Sequence, residues 1–138
     1  MRSCLVHGTK AAAMAAIATV AGWKLFDGLN AWVGHSADSQ VASGGPEWFA
    51  GFTEYLVADV VGILFLPLAV WTGLRLARIK GNHLAVIVSG LTWFALAAPR
   101  LVDTRPGPGT VIWCVAAEAV ATGAAAALQT LATATARR

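Results

Sequence analysis

Four long apolar stretches constrain this chain more than any motif it contains. They run from about Ala11 to Leu29, Phe49 to Leu74, His83 to Ala98 and Thr110 to Leu131. A helix needs about 20 mostly apolar residues to cross a bilayer core, and about 16 suffice when flanking residues anchor the ends. Only helices and closed barrels satisfy their backbone groups in lipid, and no stretch here alternates with a period of two. Of the 138 residues 57% are hydrophobic and 12% charged, about half the charged share of an ordinary soluble domain. The expected fold is therefore all-α: an integral membrane four-helix bundle forming one domain over 1–138. Its helices are predicted at about 11–30, 47–76, 83–98 and 110–133. This composition excludes a disordered chain, a collagen-like fibre and a disulfide-stapled mini-protein. The net charge of +3 comes without a basic patch, so no nucleic-acid partner is expected.

Helix boundaries follow from local chemistry. In Gly44-Gly45-Pro46-Glu47, proline takes a first helical position and a carboxylate the first turn, where the helix dipole favours it. The third helix is expected to stop near Pro99, because a residue before proline avoids helical geometry. Arg105-Pro106-Gly107-Pro108-Gly109 reads as a turn, and Gly81 as a C-terminal cap between antiparallel helices two and three. Pro67, inside helix two, leaves the carbonyl four residues earlier without its helical donor.

Orientation follows from Lys and Arg. Arg2, Lys10, Arg75, Arg78, Lys80, Arg137 and Arg138 fall on one side, and Lys24, Arg100 and Arg105 on the other. By the positive-inside rule both termini are cytoplasmic, with about 30–48 and 99–110 outside. The basic start and the Ala16-Ile17-Ala18 segment also fit a cleaved secretory signal. Apolar residues continue past that point through Val20, Trp23, Leu25, Phe26 and Trp32, which favours a retained first helix.

Cys4 and Cys114 are assigned to opposite membrane sides and cannot bridge within one chain. The absence of C-x-x-C excludes a dithiol mechanism. His7, His35 and His83 do not form a facing pair suited to haem, and no zinc, P-loop or dinucleotide signature occurs. Neither metal nor cofactor is expected.

Charged residues inside a membrane helix are costly, and each one is a candidate for function. Counted from Trp48, Asp59 lies roughly 16 Å into helix two. Counted from Thr110, Glu118 lies roughly 12 Å into helix four. On that count the two carboxylates share a depth and floor an outward-facing polar cavity, with Glu54 above them and Lys24, Asp27 and Asn30 beside them. Asp59 and Glu118 are the candidate catalytic acids, with Glu54 as a third. Lys24, Asp27, Tyr55, Trp93 and Trp113 are the candidate ligand-binding residues. The plainer alternative pairs Lys24 with Asp27 at i,i+3 and leaves Asp59 and Glu118 as packed polar groups. Five tryptophans (Trp23, Trp32, Trp48, Trp93 and Trp113) map to the outer half as an interfacial belt, although Trp93 lies deeper than an interface reaches. Ala119, Gly123 and Ala127 on helix four, with Ala18 and Gly22 on helix one, form small-residue seams that suit a tight bundle or a homodimer.

Ala21-Gly22-Trp23-Lys24-Leu25-Phe26, Phe52-Thr53-Glu54-Tyr55-Leu56 and the basic turn before helix three resemble the DoxX-like group of small four-helix membrane proteins. The resemblance covers about 15–100. It departs from the group in a longer Gly34–Gly45 segment and in Asp59, where such proteins are apolar. It implies a four-helix bundle associated with membrane redox or quinone chemistry.

Three functions fit these features. The first is a binding protein for a lipophilic, quinone- or isoprenoid-like ligand, or an accessory subunit of a larger membrane complex. The second is an intramembrane isomerase or cyclase using Asp59 or Glu118 as general acid on an isoprenoid. The third is a proton-coupled transporter acting as a dimer. The expected location is a bacterial cell membrane, crossed several times.

Overall fold

The first apolar stretch does not end where its hydrophobicity falls. In the structure, a computed structural model that describes residues 2–77, 79, 83–97 and 108–136, α1 runs unbroken from Arg2 to Ala42. Its 41 residues reach about 61 Å, twice a bilayer core. The exit expected near residue 30 is corrected: 30–42 holds no proline and a single glycine, Gly34, so nothing forces the helix to stop. Ser39 is satisfied locally, its Oγ donating to the Ser36 carbonyl oxygen at 2.8 Å.

The start of the second helix also moves. Pro46 precedes a single 3₁₀ turn, Glu47–Phe49, and α2 spans Phe52–Leu76. Gly51 caps α2 in the left-handed region (φ 77°), where other residues are strained. It also has no room for a side chain, since a Cβ there would lie 3.0 Å from Ala37 Cβ. Helix α2 continues through Pro67. Helix α3 spans His83–Ala97, within one residue of expectation. Helix α4 spans Pro108–Thr135, so Pro108 and Gly109 belong to a helix rather than to the expected turn. Proline is well suited to a first turn, where its missing N–H would be unsatisfied anyway. The predicted Gly81 cap, the stop at Pro99, the Arg105–Gly107 part of the turn, and Arg78, Lys80, Arg100, Arg137 and Arg138 lie outside the described residues.

Three helices, α1, α2 and α4, are long and apolar enough to span a membrane. Helix α3, at 15 residues or about 22 Å, is apolar but short of the four full spans expected.

Helix α1 packs on α4 and α2, and α3 packs on the same two, so α2 and α4 occupy one diagonal of a four-helix ring. Small residues make the α1–α4 contact close: a Cβ at Gly8 would meet the Gly123 carbonyl oxygen at 3.1 Å and Ala127 Cβ at 3.3 Å. The seam expected at Gly123 is present. A Cβ there would meet Ala12 Cβ at 3.0 Å and the Gly8 carbonyl oxygen at 3.1 Å. On α2, Ala58, Gly62, Leu66, Val70 and Leu74 recur every fourth residue as one buried stripe. The outer faces are apolar as well, with Leu64, Leu68, Ile87, Leu91, Ile112, Val120 and Leu128 all exposed.

Candidate functional site

Close contacts fix how the helices are staggered. Gly51 meets Ala37, Gly62 meets the Phe26 ring and Gly73 meets Met14, so α1 and α2 run antiparallel with position 59 level with about residue 29 of α1. Gly123 meets Ala12 and Gly8, which puts position 118 level with about residue 15 or 16. Along the bundle, Asp59 and Glu118 are therefore separated by roughly 20 Å. They also stand on the diagonal helices. The shared depth expected from sequence is corrected. That count assumed both helices begin in one plane, whereas α2 begins near the far end of the long α1 and α4 begins level with its middle.

Glu118 alone occupies the interior. Its side chain is fully buried, as are Thr122 on the same helix, Ser89 on α3 and Thr19 on α1. The four-residue spacing brings Thr122 Oγ1 to 3.1 Å from Glu118 Oε1, to which it donates. Ser89 stands near the Glu118 carboxyl without closing a hydrogen bond, and Ser89 Oγ and Glu118 Oε2 are both buried and unpartnered. Thr19 donates to its own helix, at the Ala15 carbonyl oxygen, 2.7 Å away. Among the described residues no Lys, Arg or His pairs with Glu118, and its Oε2 and the Ser89 hydroxyl close no hydrogen bond in this buried position. Groups of this kind are costly to leave unsatisfied.

A pair of tryptophans adjoins the core. Trp23 on α1 and Trp93 on α3 meet edge to face with centroids 5.4 Å apart, and both are buried. Trp93 Nε1 donates to the Gly62 carbonyl oxygen at 2.9 Å. Trp93 lies in the core of the bundle, and Trp23, assigned from sequence to an interfacial belt, joins it there. Trp32, Trp48 and Trp113 are exposed.

The other candidates are dispersed. Asp59 is half-buried on the border of the α2 stripe. Lys24 and Asp27 are exposed on the outside of α1 and form no ion pair among the described residues, so they neither neutralise each other nor line a cavity with Glu118. Tyr55 and Trp113 face outward. Glu54 belongs to a separate cluster: its Oε1 accepts from Gln40 Nε2 at 2.8 Å, while Gln40 Oε1 accepts from the Gly51 backbone N–H at 3.0 Å. This clasp ties the end of α1 to the start of α2, which is a structural role.

Ser89 and Thr122 were not singled out from sequence. Thr122 carried a readable signal, standing one helical turn after a buried acid. Ser89 carried none, because its approach to Glu118 depends on the α3–α4 register. Comparison with known proteins finds no match to a family model, to a characterised protein or to a solved structure.

Proposed function

We propose that this chain is an integral membrane protein with cytoplasmic termini, and that the buried layer around Glu118 binds the polar end of a lipophilic molecule. Two features support membrane residence: three helices of sufficient length, and large apolar side chains facing outward from every helix. A water-soluble bundle would present charge on those faces. The bilayer is the first partner in this reading, and a bacterial cell membrane the setting that the DoxX-like resemblance suggests.

The observation that supports binding is two atoms without a hydrogen bond, Glu118 Oε2 and Ser89 Oγ, both in fully buried residues. A carboxylic acid at Glu118 has one O–H to donate, and a carbonyl oxygen of a quinone- or isoprenoid-like ligand accepts such a bond. Ser89 supplies a second donor beside it. The rest of such a ligand is apolar and matches the alanine, valine and tryptophan side chains of the core. A general acid working with Asp59 is not part of this reading, because the two groups are too far apart to act on one bond.

Native mass spectrometry of the gently solubilised protein tests it. The wild type is expected to retain a lipophilic small molecule that Glu118→Leu loses. Identical ligand-free spectra from both would overturn the proposal.

A further inference from the structure

Lys24 and Asp27 pose a problem that the single chain does not solve. Phe26 lies against Gly62, so both charges sit alongside the middle of α2, at the level of exposed Val60, Val61 and Leu64. In a bilayer that level is hydrocarbon, and an ionised side chain facing lipid there is costly. Both are exposed, and neither forms an ion pair among the described residues.

The face they occupy is self-complementary. Exposed Ile17, Ala21, Lys24, Gly28 and Ala31 recur at alternating four- and three-residue steps, the spacing of a helix–helix seam. At Gly28 a Cβ would meet nothing within 4 Å, so the glycine is not required by packing inside this chain. Its small size leaves backbone room on the outward side, as small residues do between membrane helices.

From this we propose that a second copy of the chain covers this face, α1 against α1, about a two-fold axis along the membrane normal. All copies share one orientation in the membrane, so the two α1 helices run parallel and each residue lies near its own counterpart. Lys24 of one copy then reaches Asp27 of the other, one turn further along, and the symmetry makes the pair twice. Both charges of each chain are neutralised without any other protein. Close approach at Ala21, Gly28 and Ala31 excludes lipid from the pairs, where they are least screened. The proposal requires membrane insertion but is independent of ligand binding at Glu118.

The test is cysteine cross-linking of the full chain in native membranes, in a Cys4→Ser, Cys114→Ser background. Ala31→Cys is expected to form a disulfide dimer of twice the chain mass under mild oxidation, whereas Leu128→Cys on α4 is not. Added Lys24→Asp should abolish the cross-link, and the swap Lys24→Asp with Asp27→Lys should restore it. Gly28→Leu should abolish it while leaving the thermal midpoint of the solubilised monomer unchanged. No dimer from Ala31→Cys would overturn the proposal, as would a cross-link only to a different polypeptide. Equal cross-linking by the single charge reversal and the swap would overturn the pairing. Loss of bilayer insertion, read by alkaline extraction of the membranes, would overturn the membrane reading instead.

Discussion

The Trp93 indole on α3 donates to the carbonyl oxygen of Gly62 on α2 at 2.9 Å, five residues before Pro67. The carbonyl that Pro67 leaves without its helical donor is that of Ile63, and the Gly62 carbonyl beside it takes the indole N–H on a second lone pair. Helix α3 also packs its Gly90 against the Pro67 ring, where a Cβ would sit 3.5 Å away. Trp93 thus ties the short helix to the long one. Trp93→Phe keeps most of the buried area and removes the donor, and it should cost about 1 kcal/mol. Trp93→Ala should cost about 3 to 5 kcal/mol, because the cavity beside Trp23 stays open. Thermal unfolding of the solubilised variants, ranked in that order, is the check. Equal midpoints for Phe and wild type would remove the hydrogen bond from the account.

Two glycines predict opposite outcomes for the same substitution. Gly123 faces Ala12 Cβ at 3.0 Å and the Gly8 carbonyl oxygen at 3.1 Å, with backbone on one side that cannot yield. Gly123→Leu should therefore push α1 from α4 and destabilise the bundle by at least about 1 to 3 kcal/mol. Gly28→Leu enters open space and should leave the monomer as stable as before. Melting curves in detergent, under conditions where the protein is monomeric, separate the two. A similar loss from both would place Gly28 against a neighbouring helix rather than in open space.

Much of this bundle is legible in the sequence, and the exceptions have one cause. The existence of four helices and the Gly123 seam follow from local patterns of apolar and small residues. The length of α1 is not legible, because the polar residues of 30–42 read as aqueous loop although polarity alone does not end a helix. An α1 ending near residue 30 puts the starts of helices two and four in one plane and Asp59 and Glu118 at one depth. Register between helices is a tertiary property, set by contacts such as Gly51 with Ala37, and no single stretch of sequence states it. Glu118 itself was identifiable, since a lone acid among Val115, Ala116, Ala117, Ala119 and Val120 stands out at once.

The Gln40 clasp should matter locally. Its side chain serves the Gly51 N–H and Glu54 Oε1 together, at 3.0 and 2.8 Å. Gln40→Ala strands both and should cost about 1 to 2 kcal/mol. The loss should be concentrated at the α1–α2 end, where hydrogen exchange of the Phe52–Leu56 amides is expected to quicken while α4 amides stay protected. Uniform loss of protection across both helices would show that the clasp holds more than the hairpin tip.

Topology can be read at Ser43, just past the end of α1. In a Cys4→Ser, Cys114→Ser background, Ser43→Cys should react with a membrane-impermeant thiol reagent on intact cells. A cysteine appended after Arg138 should react only after permeabilisation. The reverse pattern would invert the orientation and with it the sign of every statement about inside and outside.

The most discriminating substitutions are at Glu118. Thr122 donates to Oε1, while Oε2 closes no hydrogen bond and Ser89 stands near the carboxyl. Glu118→Gln keeps the shape and the acceptor and replaces the acid O–H by an amide donor, so the fold should survive with a change of less than about 1 kcal/mol. Glu118→Ala removes the acceptor that Thr122 uses and opens a cavity among alanines, and should cost about 2 to 5 kcal/mol. Asp59→Asn and Asp59→Ala, at a half-buried position with no bond of this kind, should both lie within about 0.5 kcal/mol of wild type. Ligand retention should follow the donor rather than the charge. Glu118→Gln is expected to keep part of any bound lipophilic molecule, Glu118→Ala to lose it, and both Asp59 variants to keep it. Should Asp59→Ala release the ligand while Glu118→Ala retains it, the binding layer belongs at the outer end of α2, and the assignment to Glu118 fails.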